Sequence, residues 1–285
     1  MLCLSLCACG GDTQEGTSST APYSTPELTF EPSKDLTSYV VTGLSGIPQS
    51  MDIVIPATYQ GHPVTEIAKE AFREVGITSI SIPNSVTKIC SMAFYGCKNL
   101  KRVYISDMAT WCSIDFDNGG ANPLDNGAML YVDGEEMRNI TFPADVTTIS
   151  DWAFYGYKWV DNLTIGNNVT YIGAAAFKES NVTNLIIGDS VTKIGDAAFM
   201  SCNRLWSITI GKNVSFVAEA AFRYCGFLKT VTISSSKTRW YSAPFHECLL
   251  LTDIYYNGTT YDYENNFFFV PDTCVIHCTN GDIIK

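Results

Sequence analysis

The chain has 285 residues, 46% of them hydrophobic and only 16% charged, which excludes a low-complexity disordered tract. Its 29 Asp/Glu against 18 Lys/Arg give a formal net charge of −11, and that sign argues against nucleic acid or an anionic membrane surface as partner, since both need clustered cations. No apolar run reaches the roughly 18 residues that a membrane-crossing helix needs.

The amino terminus differs in kind from the rest. Residues 1–9, "MLCLSLCAC", are short and apolar, and residues 10–27 form a Gly/Ser/Thr/Pro tract. "LCAC" at 6–9 resembles a bacterial lipobox, whose final cysteine is lipidated and becomes the mature first residue. Ala8 suits the position before cleavage; Cys7 is an unusual occupant of the one before it. A signal also carries a basic n-region, but the first Lys or Arg here is Lys34. The expectation is a truncated lipoprotein-type signal over 1–9, lipidation at Cys9 and a flexible tether over 10–27. The alternative is a cysteine-bearing terminus without that processing.

Further along, one unit recurs. "VTEIAKEAFREVGITSISIPNS" begins at Val64, and "VTKICSMAFYGCKNLKRVYISDM" at Val86. "VTTISDWAFYGYKWVDNLTIGNN", "VTYIGAAAFKESNVTNLIIGDS", "VTKIGDAAFMSCNRLWSITIGKN" and "VSFVAEAAFRYCGFLKTVTISSS" follow from Val146, Val169, Val191 and Val214. The last apolar residue of each strand-like half falls at Ile82, Ile105, Phe142, Ile165, Ile187, Ile210, Ile233 and Tyr256, with gaps of 23, 37, 23, 22, 23, 23 and 23. "DIVIP" at 52–56 reads as an earlier rung. Such a period means a solenoid, in which each unit buries its apolar side against the next.

Within a unit, Ile208 and Ile210 point one way and Ser207 and Thr209 the other, as period two requires. Gly or Pro ends the strand at Pro83, Pro143, Gly166, Gly188 and Gly211, the "VTKI" piece is a second short extended segment, and "GDAAF" is expected as a short helical turn. One aromatic recurs at Phe72, Phe94, Phe154, Phe177, Phe199, Phe222 and Phe245. This column is core, each buried ring contributing about 1.5–3 kcal/mol.

The pattern "VTxIGxxAFxxCxxLxxIxIP/G" resembles the BspA-like class of leucine-rich repeats found on bacterial cell surfaces. The resemblance implies a right-handed superhelix of about 22–23 residues per coil, with a parallel sheet along one face and short helical turns. It covers residues 28–285. Residues 28–63 resemble the opening cap, 64–260 the repeats with an enlarged coil at 106–142, and 261–285 the closing cap.

Little in the chain looks like chemistry. Cys97, Cys202, Cys225 and Cys248 each lie three residues after the repeated phenylalanine. A bridge between adjacent rungs is sterically conceivable, a free buried thiol fits as well, and the resemblance favours the thiol. Cys274 and Cys278, with His277 between them, lack the further ligands a zinc site needs. "DFDNGG" (Asp115, Asp117) lacks the order of a calcium loop and reads as a solvated loop. Only His62, His246 and His277 are available as imidazole, and no hydrolase, P-loop or dinucleotide motif is present. Asn139, Asn162, Asn168, Asn181, Asn213 and Asn257 open N-x-S/T triplets that arise from the repeat itself. No enzymatic activity, cofactor or metal is expected.

The outward strand positions remain as a surface for a partner. They run from Ser79/Ser81 through Arg102/Tyr104, Asn139/Thr141, Asn162/Thr164, Asn184/Ile186, Ser207/Thr209 and Thr230/Thr232 to Asp253/Tyr255. Eight strands at about 4.8 Å would make one face nearly 35 Å long. The candidate contacts are Arg102, Tyr104, Asn162, Thr164, Asn184, Ile186, Ser207, Thr209 and Tyr255, with Trp206 either rim or core. Two readings stand: a monomeric binding platform for a protein or glycan, or a structural envelope component without a ligand. The platform is the usual use of a solenoid's concave surface. Attachment to host matrix or to other bacteria is implied by the resemblance alone, and membrane contact only by the lipid.

Overall fold

The computed structural model describes residues 28–46, 51–265 and 268–285. Each regular repeat contributes two strands, because each holds two short stretches that turn apolar residues inward. The longer one, such as Ser207–Ile210, joins a front sheet, and the "VTKI" piece, such as Lys193–Ile194, joins a back sheet. Coils stack in parallel register, Ile187 facing Ile210 and Ile210 facing Ile233. On the back, Ile172, Ile194 and Val217 align in the same way. These inward residues are all buried.

Outside the enlarged coil, where the 3₁₀ turns Gly119–Ala121 and Pro123–Asn126 follow Asp115–Phe116, the turn after a back strand is not the helical turn that the sequence led us to expect. Each turn holds two residues in the left-handed region, four apart: Ala197 (φ 50°) and Ser201 (φ 60°), repeated as Ala175/Glu179 and Ala220/Tyr224. An α-helix needs an unbroken run of negative φ and bonds four residues apart. Here the N–H groups of Ala197, Phe199 and Ser201 instead donate to the carbonyls of Glu219, Ala221 and Arg223 on the next coil, at 2.9, 2.8 and 2.8 Å. The turns therefore form a third ladder between coils. Among the described residues, α-helix is confined to Met108–Ser113 and Thr260–Asn265.

Between the ladders runs the aromatic column. Phe154, Phe177, Phe199, Phe222 and Phe245 stack with centroid spacings of 5.0, 5.2, 5.5 and 5.5 Å, their planes within 13° of parallel. All five are fully buried. Phe72 and Phe94 form a separate stacked pair at 5.3 Å.

The enlarged coil separates the two stacks, and it is not one coil of 37 residues. Met129–Val132 pairs in register with Arg102–Ile105, forming a rung that the sequence ruler skips. The chain then folds back as a hairpin to Glu135–Glu136. Ile140–Thr141 opens a second front sheet. The back sheet divides likewise, Asp115–Phe116 closing one half and Thr148–Ile149 opening the other. The core passes through as one buried cluster from Val41 to Ile276, and, among the described residues, a single main-chain bond of the back side crosses with it, Ser150 N–H to the Cys112 carbonyl at 2.9 Å.

Side chains take over where the ladders stop. Phe94 N–H donates to the Gly120 carbonyl at 3.1 Å, a bond that elsewhere reaches the residue before the next ring, as in Phe177 to Ala198. Ala121 thus stands where a phenylalanine would. The Ala153 carbonyl, left without a preceding ring residue's amide, accepts from Trp111 Nε1 at 3.0 Å and Asn122 Nδ2 at 2.9 Å. Both side chains are buried.

Antiparallel hairpins lie at both ends. Leu28–Pro32 pairs with Tyr39–Leu44, which in turn pairs in parallel with His62–Ile67. Phe30 stacks on Tyr59 at 4.1 Å over this end. At the other end Val275–Cys278 pairs with Gly281–Ile284.

Candidate interaction surfaces

The broken front sheet divides the expected partner surface. Arg102 and Tyr104 lie on the first sheet, beside the Glu135–Glu136 hairpin. There the Arg102 guanidinium approaches Asp52 at 3.8 Å, and the Tyr104 ring meets Tyr131 at 4.9 Å. Asn162, Thr164, Asn184, Ile186, Ser207, Thr209 and Tyr255 share the second sheet, in register. The single 35 Å face is therefore two surfaces, because Met129–Val132 and its hairpin interpose between Tyr104 and Thr141.

On the second surface the outward residues form two columns. One is tied together: Asn184 Nδ2 donates to Asn162 Oδ1 at 2.9 Å, and Ser207 Oγ donates to Asn184 Oδ1 at 2.9 Å. The other column runs through Thr164, Ile186, Thr209, Thr232 and Tyr255. It exposes two large apolar groups, Ile186 at 49% and Tyr255 at 50%. Tyr255 stacks on the His277 ring at 4.8 Å. His277 bridges Asp253, 3.0 Å from Nε2, and Asp282, 3.2 Å from Nδ1. These bonds raise the imidazole pKa and lower that of Asp253. Trp206 is rim rather than core, with the Lys229 ammonium 4.2 Å above its exposed ring.

The cysteine column is a set of free thiols. Cys97, Cys202, Cys225 and Cys248 each donate to the carbonyl of the preceding ring residue, at 2.9, 3.2, 3.2 and 3.1 Å. Burial pushes the Cys97 thiol up to about 11 and Cys274 up to about 12, so both hold their protons at neutral pH. Asp115 and Asp117 both pair with Lys88 at 3.5 Å, and Asp117 also accepts from the Ser91 amide at 2.8 Å. Among the described residues no group of three or more His, Cys, Asp or Glu is placed to hold a metal ion.

A groove on the back of the solenoid went unseen in the sequence. The third residues of three successive "VTxI" pieces, Tyr171, Lys193 and Phe216, project outward in register. The Lys193 ammonium lies between the two rings, 5.2 Å from Tyr171 and 5.9 Å from Phe216. Asp196 and Glu219, on the turns, face them across a hollow of about 480 Å³ that ends at Tyr241. Gly195 and Ala218 keep it open. A Cβ on Gly195 would sit 2.7 Å from the Ala174 amide nitrogen, so packing against the preceding coil demands the glycine. A second hollow of about 310 Å³ adjoins through Tyr171 and includes Asp151, and a third of about 420 Å³ follows at Trp240 and Phe269. The available sequence signal was the aromatic–cation–aromatic succession at one repeat position beside small residues.

A search of the curated proteins gives no match. Among solved structures, a leucine-rich repeat protein of T. pallidum is similar at 20% identity, over 79% of this chain and 87% of that one, with a TM-score of 0.43. A leucine-rich cell surface protein of Faecalibacterium prausnitzii aligns at 20% identity over 85% and 96%, TM-score 0.32. A leucine-rich repeat protein of Bacteroides ovatus aligns at 18% over 88% and 98%, TM-score 0.34. The family model for the BspA type leucine rich repeat region matches six copies, over residues 59–115 and 129–268. With two ladders of parallel strands, a third of turns and a stacked aromatic core behind that match, the chain belongs to the BspA-type leucine-rich-repeat family.

Proposed function

We propose that the chain is a monomeric bacterial cell-surface binding protein that engages a protein or glycan through its second front sheet, in the manner of an adhesin. One observation carries this reading: Ile186 and Tyr255 stand half exposed within an in-register field of Ser, Thr and Asn. Exposed apolar groups rimmed by polar ones mark interaction sites, and aromatic residues supply much of the energy at such sites. Arg102 and Tyr104 would serve a smaller accessory surface across the break. Anchoring is proposed through a lipid on Cys9, which lies outside the described residues. No helix among the described residues is long and apolar enough to cross a membrane. Catalysis forms no part of this reading.

A second reading, a passive envelope component, draws on the Asn162–Asn184–Ser207 chain, whose side chains satisfy one another. Solid-phase binding to matrix proteins and glycans separates the two. The platform predicts binding that falls about tenfold or more in Ile186→Ala/Tyr255→Ala. Binding that survives this change overturns the platform, and no binding at all favours the passive role. Mass spectrometry of the mature terminus tests the anchor: an acylated Cys9 supports it, and an intact Met1 removes it.

A further inference from the structure

We propose that the back groove is a second binding site, separate from the front sheet, and that it takes a neutral oligosaccharide. The shape comes first. The central hollow of about 480 Å³ falls within the range of about 300–1,000 Å³ common for small-ligand sites. Its neighbours continue it along the solenoid axis, sharing Tyr171 on one side and following Tyr241 on the other. A row of hollows suits linked rings better than one compact molecule.

The lining then selects the chemistry. One wall offers the Tyr171 and Phe216 rings with the Lys193 ammonium between them. The other offers the Asp196 and Glu219 carboxylates, which have no hydrogen-bond or ion-pair partner among the described residues. A sugar chain matches both walls at once. Its hydroxyls donate to the carboxylates and accept from Lys193, while its C–H surfaces pack on the rings and on Ala218. An extended peptide is a poorer fit, because peptides add to open strand edges. Here Lys193–Ile194 and Phe216–Val217 are already paired on both sides. An anionic polymer would meet four carboxylates, Asp115, Asp151, Asp196 and Glu219, against the one ammonium of the lining.

The test uses the whole chain and a panel of neutral tetrasaccharides of glucan, mannan and chitin type, read by ligand-observed NMR and titration calorimetry. The expected result is binding of at least one member. Phe216→Ala or Glu219→Gln should then weaken it by about tenfold or more. Ala218→Leu, which fills the floor, should abolish it, and Ile186→Ala on the front sheet should leave it unchanged. Glu219→Gln alters an exposed side chain, so its melting temperature should match the parent and separates lost binding from lost fold. Three results would overturn the site: no panel member binds, binding is indifferent to both Glu219→Gln and Ala218→Leu, or heparin binds as tightly as the best neutral chain. A front sheet that proves passive leaves the groove standing, and an empty groove leaves the front sheet standing.

Discussion

The coils from Val146 to Tyr256 and the enlarged coil at 106–142 solve one problem differently. The regular coils join through main-chain ladders and ring-on-ring stacking, each repeating the same bonds at the same register. The enlarged coil has no phenylalanine for the column, and a helix interrupts its path. Its bonds to the next coil include one main-chain pair, Ser150 N–H to the Cys112 carbonyl at 2.9 Å, and the side chains of Trp111 and Asn122, which share one carbonyl. Regularity thus spreads a contact over many equivalent groups, whereas the exception concentrates it in a few.

That contrast can be broken at either end. The largest effect is expected for Phe199→Ala, which opens a hole in the middle of the longer stack and should cost about 3–5 kcal/mol in urea unfolding. Asn122→Ala comes next. It deprives the Leu124 amide and the Trp152 and Ala153 carbonyls of a buried partner, at about 1–3 kcal/mol. Asn162→Ala, on the exposed front column, should fall within about 0.5 kcal/mol of the parent.

A third difference is one of pH. Asp125, in the enlarged coil, is pushed up to about 6, chiefly by burial and then by the charge of Glu179. Its native pKa lies above its unfolded one, so the folded state holds its proton longer. Stability should therefore fall as pH rises from about 4 to about 6, and Asp125→Asn should flatten that step in a series of urea titrations.

The smallest effect concerns His277, raised mainly by its bond to Asp253, with Asp282 on the other nitrogen. A raised imidazole stabilises the protonated clamp below the ordinary histidine range and loses that contribution as pH rises through the folded value. Exchange protection across Val275–Cys278 and Gly281–Ile284, corrected for the intrinsic pH dependence of amide exchange, should fall over that rise in the parent and not in His277→Gln.

Much of this was legible in advance, for a physical reason. Period two assigned Ile208 and Ile210 inward, and a 22–23-residue spacing aligned the rings, because stacked coils impose both rules on side-chain type. The turns hid themselves. Ala175, Ala197 and Ala220 sit at positive φ with no glycine to announce it, held by bonds to a neighbouring coil that one repeat alone cannot show. The rung at Met129–Val132 was passed over because no "VTxI" segment follows it before the next strand at Ile140–Thr141. The Asp133-Gly134 pair after it, both at positive φ, is a hairpin signature that the ruler ignored. The groove escaped because Lys193 and Phe216 each belong to a two-residue strand, where an outward side chain reads as ordinary surface.

Because the hydrogen-bonded spine stops and restarts while the oily interior does not, the molecule is built as two registers sharing one filling. Whole coils could be gained or lost in either block, lengthening or shortening the field proposed to meet a partner, without disturbing the other block's alignment. Reach becomes adjustable by copy number, in steps of one rung.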